Sequence, residues 1–201
     1  MSYEYRKLSP EERKRIIEER RQHGFPLHQP PHPFREAGSY LITAANFEHA
    51  TVMSSSERRT TFQDILLAGF REIHAEVIGW VVLPNHYHIL VNVESLDLVS
   101  NQIKQIHGST SHKWNQQDGL TGKRKVWYRY VDRMMRNERH LNQTLNYIHH
   151  NPVKHGWVND VYDWPWSSLY WYVDNKGQDW LREQWGRYTP PVDFGKGWDA
   201  Q

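Results

Sequence analysis

From about residue 38 onward the apolar positions fall into two alternating periods. Residues 39–47 (Ser-Tyr-Leu-Ile-Thr-Ala-Ala-Asn-Phe) read as a strand with Tyr40, Ile42 and Ala44 on one face. Ser54-Ser55-Ser56-Glu57 opens a helix, and Phe62, Ile65, Leu66, Gly69, Phe70 and Ile73 recur along it at helical spacing. Residues 76–83 and 86–93 are apolar runs rich in β-branched residues, split by Pro84-Asn85, hence strand, tight turn, strand. A second amphipathic helix spans about residues 96–115. It turns Val99, Ile103, Ile106, Thr110 and Trp114 inward and keeps Lys104, His107, Ser111 and Lys113 on or near its polar side. After the basic loop Thr121-Gly122-Lys123-Arg124-Lys125, residues 127–131 read as a short fourth strand. The order β-α-β-β-α-β predicts an α+β, ferredoxin-like fold, a split βαβ with a four-stranded antiparallel sheet and helices on one face. A further helix follows, capped by Asn137, packed through Leu141, Leu145 and Ile148, and ended near Asn151 by Pro152.

The two ends of the chain differ from this core. In residues 1–36, Ser9-Pro10-Glu11-Glu12 has helix-start grammar, and the helix to about Gln22 is charged nearly all round, with only Ile16 and Ile17 apolar. Gly24 ends it, and Pro26, Pro30, Pro31 and Pro33 predict an extended linker. After Gly156 the chain turns aromatic, with Trp157, Trp164-Pro165-Trp166, Trp171, Trp180, Trp185 and Trp198. Residues 164–172 read as the last packed segment and 173–201 as a loosely ordered tail. The expected organisation is therefore 1–36, an N-terminal helix and linker, 37–172, the functional domain, and 173–201, the tail.

Composition narrows the function classes. The 201 residues carry 25 Lys+Arg, 13 His and a net charge of +2, and a pI near 8.7 tilts the chain basic. That balance is compatible with nucleic acid. Ten Trp and eleven Tyr offer core or stacking surface for unpaired bases. The absence of cysteine excludes disulfide scaffolds and thiolate zinc sites. No apolar run reaches membrane-spanning length and Met1–Arg6 lacks a signal-peptide core, so a cytoplasmic protein without a membrane partner is expected.

His86 and His88 open the second strand of the Pro-Asn hairpin. Two positions apart on a strand, they point the same way, roughly 7 Å apart along it. Taken alone, two strand histidines on a solvated face are the commoner case. Beside a turn on a rigid platform, however, they can hold a divalent metal with positions open to phosphate oxygens. Tyr147 and Asn151 stand four apart on the last helix, hence on one face. Asn151 can offer a carbonyl oxygen as a third ligand and Tyr147 a phenol beside it. Alone, they would be a packed tyrosine and a helix-ending asparagine.

His86-Tyr87-His88 resembles the HUH motif of single-tyrosine transposases. The segment 127–133 with Arg136 resembles the block that precedes their catalytic helix. Residues 147–158 (Tyr-Ile-His-His-Asn-Pro-Val-Lys-His-Gly-Trp-Val) closely resemble the nucleophile helix of REP-associated tyrosine transposases, and Trp164-Pro165-Trp166-Ser167-Ser168 their post-helix signature. The blocks keep the family's order across about residues 38–170. The resemblance implies that His86, His88 and Asn151 hold Mg²⁺ or Mn²⁺ and that Tyr147 is the nucleophile. It implies cleavage and rejoining of single-stranded DNA beside hairpins or palindromic repeats through a 5′-phosphotyrosine, in the nucleoid. Such transposases can pair across a homodimer, and the sequence leaves monomer and dimer open. Tyr87 departs from the motif's aliphatic middle residue; alternation aims it at the core, where its hydroxyl needs a partner. His149 and His150 are candidate general bases. Arg129, Arg133, Arg136, Lys154, His155 and Lys104 are candidate DNA contacts. Two other readings predict different outcomes: a non-catalytic nucleic-acid-binding module, and a metal-dependent hydrolase in which water attacks.

Overall fold

The computed structural model describes residues 9–22 and 37–195. The chain divides into two units, Met1–Arg35 and Glu36–Gln201. In the first, helix α1 (Pro10–Gln22) begins with a reciprocal capping box. The Ser9 N–H donates to Glu12 Oε2 at 2.8 Å, and the Glu12 N–H donates to Ser9 Oγ at 3.2 Å. The expected Pro-rich linker and Trp198 lie outside the described residues.

The second unit is an α+β fold of the expected topology. Its strands are β1 (Gly38–Ala45), β2 (Glu76–Val82), β3 (His86–Val93) and β4 (Val131–Met134), in the antiparallel order β2-β3-β1-β4. Helices α2 (Ser56–Glu72) and α3 (Leu96–Gln117) cover one face. There Tyr40, Ile42, Tyr87, Ile89 and Val91 pack with Phe62, Leu66, Phe70, Val99, Ile103 and Trp114. Helix α4 (Glu138–Lys154) lies on the other face, where Leu41, Val81, Leu83 and Leu90 meet its Leu145, Tyr147 and Ile148. Strand alternation thus divides β3 between two cores, with Tyr87 in one and His86 and His88 toward the other.

Four expectations are corrected. The fourth strand is Val131–Met134, not 127–131. Thr43 pairs with Val131 whereas Asn46 bridges Trp127, so three steps along β1 match four along its partner. The extra residue is a β-bulge, and it cuts the aromatic run away from the regular ladder. Second, α4 runs through Pro152 to Lys154. The helix ends in a Schellman turn: Gly156 has φ +70, its N–H donates to the Val153 carbonyl, and the Trp157 N–H donates to the Pro152 carbonyl.

Third, His107 is not on the polar side of α3. It stacks on Trp127 at 4.4 Å and its Nε2 lies 3.0 Å from the Tyr87 hydroxyl. Burial pushes its pKa down to about 3, so a neutral ring shares a hydrogen bond with the Tyr87 hydroxyl. This supplies the partner that Tyr87 needs. Fourth, the described part of the tail is packed rather than loose. Helices α5 (Leu169–Lys176) and α6 (Gln178–Arg187) follow the Trp-Pro-Trp segment. The Asn146 amide on α4 donates to the Gln184 and Tyr188 carbonyls, and Trp180 stacks on Tyr172. Polar side chains of α4 thereby satisfy the carbonyls at the end of α6.

The Trp164–Ser168 segment covers the outer edge of β2. Val82 donates its N–H to the Trp166 carbonyl, the Trp164 indole donates to the Val82 carbonyl, and Ser167 bridges Val81. Arg59 stacks its guanidinium over Trp166 and Trp164, at 3.9 and 5.1 Å from their ring centroids.

Candidate active site

His86 and His88 stand at the start of β3, next to β1, where Ala45 pairs with His86 and Thr43 with His88. Both imidazoles are buried, with ring centroids 5.1 Å apart. Each is oriented through Nδ1. His88 Nδ1 lies 2.7 Å from Thr43 Oγ1, and His86 Nδ1 lies 2.8 Å from Asn85 Oδ1. Bonds of this kind to the nitrogen that does not face a metal fix the tautomer of histidine ligands.

Helix α4 brings two more groups to the pair. Asn151 is fully buried, with Oδ1 3.3 Å from His86 Nε2. Because Asn85 Oδ1 can only accept, His86 Nδ1 donates to it. With that proton on Nδ1, a neutral ring would present a lone pair on Nε2 toward the Asn151 carbonyl oxygen. Two converging lone pairs suit a shared cation. One turn earlier, the Tyr147 ring lies 5.4 Å from the His88 ring, and Lys154 donates from Nζ to the Tyr147 hydroxyl at 3.1 Å. The donor set of two imidazoles and one amide oxygen therefore fits a divalent metal with open positions. Among the described residues, no cluster of three or more His, Cys, Asp and Glu side chains has metal-binding geometry.

The other candidates are dispersed. His155 places its ring 4.9 Å from that of His86. Arg133, half-buried on β4, interacts electrostatically with Tyr147, and burial lowers its pKa from the ordinary arginine value. Arg129 and Arg136 are exposed near the ends of β4. Lys104 is exposed on α3, across the sheet from the histidines. The two candidate bases turn elsewhere. His149 is fully buried, with Nε2 3.1 Å from Ser168 Oγ and its pKa pushed down to about 3 by burial. His150 places Nδ1 2.9 Å from the Asn146 carbonyl oxygen and packs edge-on against Trp185.

Thr43 and Asn85 escaped the sequence reading. Thr43 is the polar residue between Leu41 and Ala45 on the face opposite Tyr40, Ile42 and Ala44. That position among apolar neighbours was the available signal. The end of the described chain also reaches the site: Phe194 lies 6.0 Å from the Tyr147 ring. The backbone of Gly195, at φ +77, rests so close to that ring that a Cβ would collide with it.

Residues 41–151, more than half of the 201, match the family model described as "Transposase IS200 like". The chain belongs to the IS200-like transposase family. All four residues converging at the site, His86, His88, Tyr147 and Asn151, fall within the matched span. Among curated relatives, a REP-associated tyrosine transposase of Escherichia coli (strain K12) is 34% identical over 97 residues, 47% of this chain and 54% of the relative. A Haemophilus influenzae relative is 28% identical over 104 residues, 47% of this chain and 59% of its own length. The chain thus spans a little over half the length of the curated relatives it matches. Its fold is similar to a solved structure of a REP-associated tyrosine transposase bound to a REP hairpin. The TM-score is 0.59 at 24% identity, covering 73% of this chain and 86% of that one. Among the described residues of this family member, no helix is long and apolar enough to cross a membrane.

Proposed function

We propose that the protein is a metal-dependent single-stranded DNA endonuclease and strand transferase that acts beside hairpins through Tyr147. One observation carries the reading: a single helix delivers Tyr147 against His88 and Asn151 against His86. His86, His88 and Asn151 would hold Mg²⁺ or Mn²⁺. A divalent cation bound there supplies charge neutralisation for the scissile phosphate.

The Tyr147 hydroxyl attacks the phosphorus, forming an O–P bond as the bond to the 3′ oxygen breaks. The phenol gives up its proton and the leaving 3′ oxygen takes one up, so a free 3′ hydroxyl and a 5′-phosphotyrosine result. Lys154, already donating to the phenol oxygen, stabilises the charge that develops there. Arg133 adds a second positive charge near the same oxygen. Because the phosphotyrosine conserves the phosphodiester's energy, the 3′ hydroxyl of another strand can reverse the step, and joining needs no nucleotide cofactor. A hairpin substrate is supported by the similar fold solved with a REP hairpin.

Cleavage of a labelled hairpin oligonucleotide, with Mn²⁺ and with chelator, tests the metal requirement. The reading expects cleavage only with the metal, and loss of both cleavage and Mn²⁺ binding when His86→Ala and His88→Ala are combined. Mn²⁺ binding unchanged in that double variant would remove the proposed site. Hairpin binding without cleavage under any metal would make the chain a binding module.

A further inference from the structure

Beside the candidate site lies an aromatic and cationic cluster that the proposed chemistry does not use. Phe47 and Tyr128 pack with ring centroids 4.9 Å apart, and both are half-exposed. Lys125 holds its ammonium 4.7 Å from the Phe47 centroid and 5.5 Å from that of Tyr128. The His49 ring lies 6.1 Å from that of Tyr128.

The cluster is tied to the histidine strand by backbone hydrogen bonds. The Tyr128 N–H donates to the Ala45 carbonyl, and Ala45 pairs with His86. The Asn46 N–H donates to the carbonyl of Asn85, the residue before His86, and the Phe47 N–H donates to the Val126 carbonyl. Trp127 is buried in the core on the α2/α3 face. Alternation therefore turns Tyr128 toward the face that carries His86 and His88, about two strand spacings, or ~10 Å, from His86.

Two backbone irregularities converge on Tyr128. Glu48 and His49 are consecutive non-glycine residues at φ +55 and +53. On the opposite segment, the bulge between Trp127 and Val131 breaks the ladder just after Tyr128. Each costs stability, and such features are kept where they aim a side chain. The bulged segment also packs Tyr130 against the core, whereas Phe47, His49 and Tyr128 retain exposure. The surrounding charge is cationic: Lys123, Lys125 and Arg129 are exposed, against the single exposed acid Glu48 in the facing turn.

The geometry points to Phe47 and Tyr128 as a stacking subsite for an unpaired base of single-stranded DNA, with Lys125 on the adjoining phosphate. Aromatic faces accept any base, and the nearby ammonium matches the backbone charge. The subsite deepens the proposed function, resting on it for the choice of DNA: it would hold a nucleotide next to the one whose phosphate reaches His86, His88 and Tyr147.

The test uses the full chain carrying Tyr147→Phe, so that no covalent step intervenes, and a DNA hairpin with an unpaired arm. 2-Aminopurine is placed in turn at each unpaired position, and its fluorescence and the binding isotherm are read. The inference expects quenching at one position. It expects about tenfold weaker binding in Tyr128→Ala or Phe47→Ala, the loss of one stacked base. Tyr128→Phe, which keeps the ring, should bind like its parent, and Lys125→Ala should reduce the salt dependence of binding. Absence of quenching at every position overturns the inference, whether or not an alanine variant folds. So does unaltered affinity in both folded alanine variants. Adduct formation at Tyr147 is scored separately in the unsubstituted protein. Stacking without an adduct refutes the catalytic reading alone, and an adduct without stacking refutes the subsite alone.

Discussion

The geometry of the proposed site depends on how α4 is held against the sheet, and one holding point is a buried tether. His149 Nε2 lies 3.1 Å from Ser168 Oγ, which also accepts the Trp80 N–H at 3.1 Å. The Ser168 N–H donates in turn to the Trp80 carbonyl at 2.9 Å. At Gly79 the helix packs so near the strand that an added Cβ would stand 2.5 Å from Leu145 Cδ1 and 3.3 Å from Ser168 Oγ. Ser168→Ala leaves two polar groups, the Trp80 N–H and His149 Nε2, without this partner. At about 1–3 kcal/mol for each unsatisfied group, the loss should be about 2–6 kcal/mol. For a chain of this size, at about 3 °C per kcal/mol, the middle of that range lowers Tm by about 12 °C.

Combining Ser168→Ala with His149→Phe removes both ends of the contact and should be milder than the sum of the single changes, by at least ~1 kcal/mol. Urea denaturation followed by tryptophan fluorescence measures all three variants. Ser168→Ala within ~0.5 kcal/mol of the parent would refute the tether, as would strictly additive double-variant stability.

Two further outcomes follow from the buried polar groups. His107 and His149 are held neutral by burial with pKa values of about 3, against 6.5 for the exposed ring. Below pH 6.5 the unfolded chain gains protons that the native one refuses. Stability is therefore full above pH 6.5 and falls toward pH 3, by about 1.4 kcal/mol per pH unit for each histidine. Urea midpoints at pH 7 and pH 5 check the direction, and a midpoint that rises on acidification contradicts it. Thr43→Val removes the oxygen that orients His88 and should weaken Mn²⁺ binding about tenfold in calorimetric titration. Equal affinity would show that the ring does not need Thr43.

The fold was legible because the apolar periods of β1 to α3 are long and uninterrupted, and strand order follows from them once the split βαβ pattern is seen. The errors sit where local grammar yields to tertiary contacts. The aromatic run at Trp127 has strand chemistry, but a bulge displaces the regular pairing to Val131. Pro152 removes its own hydrogen bond, yet nearly one more turn fits before Gly156 reverses the chain. The tail reads as loosely ordered because its tryptophans lack a period. Its described part is tied down through Asn146, a polar residue whose role in capping α6 has no local signature.

At the site, the four residues singled out by motif spacing converge, since strand and helix periods fix which side chains share a face. Long basic side chains have no such constraint. Lys104 is carried to the far face by α3, and Lys154 turns onto the Tyr147 hydroxyl. His107 looked polar because the partner that buries it, Tyr87, lies 20 positions away in sequence.

The central claim is that Tyr147 is the attacking group, and the most direct measurement is peptide mapping by mass spectrometry. The protein is incubated with a hairpin oligonucleotide and Mn²⁺, digested, and searched for a nucleotide-linked peptide. The account predicts a 5′-phosphoryl nucleotide on Tyr147 and no adduct in Tyr147→Phe. An adduct on another residue, or one that persists in Tyr147→Phe, would contradict it.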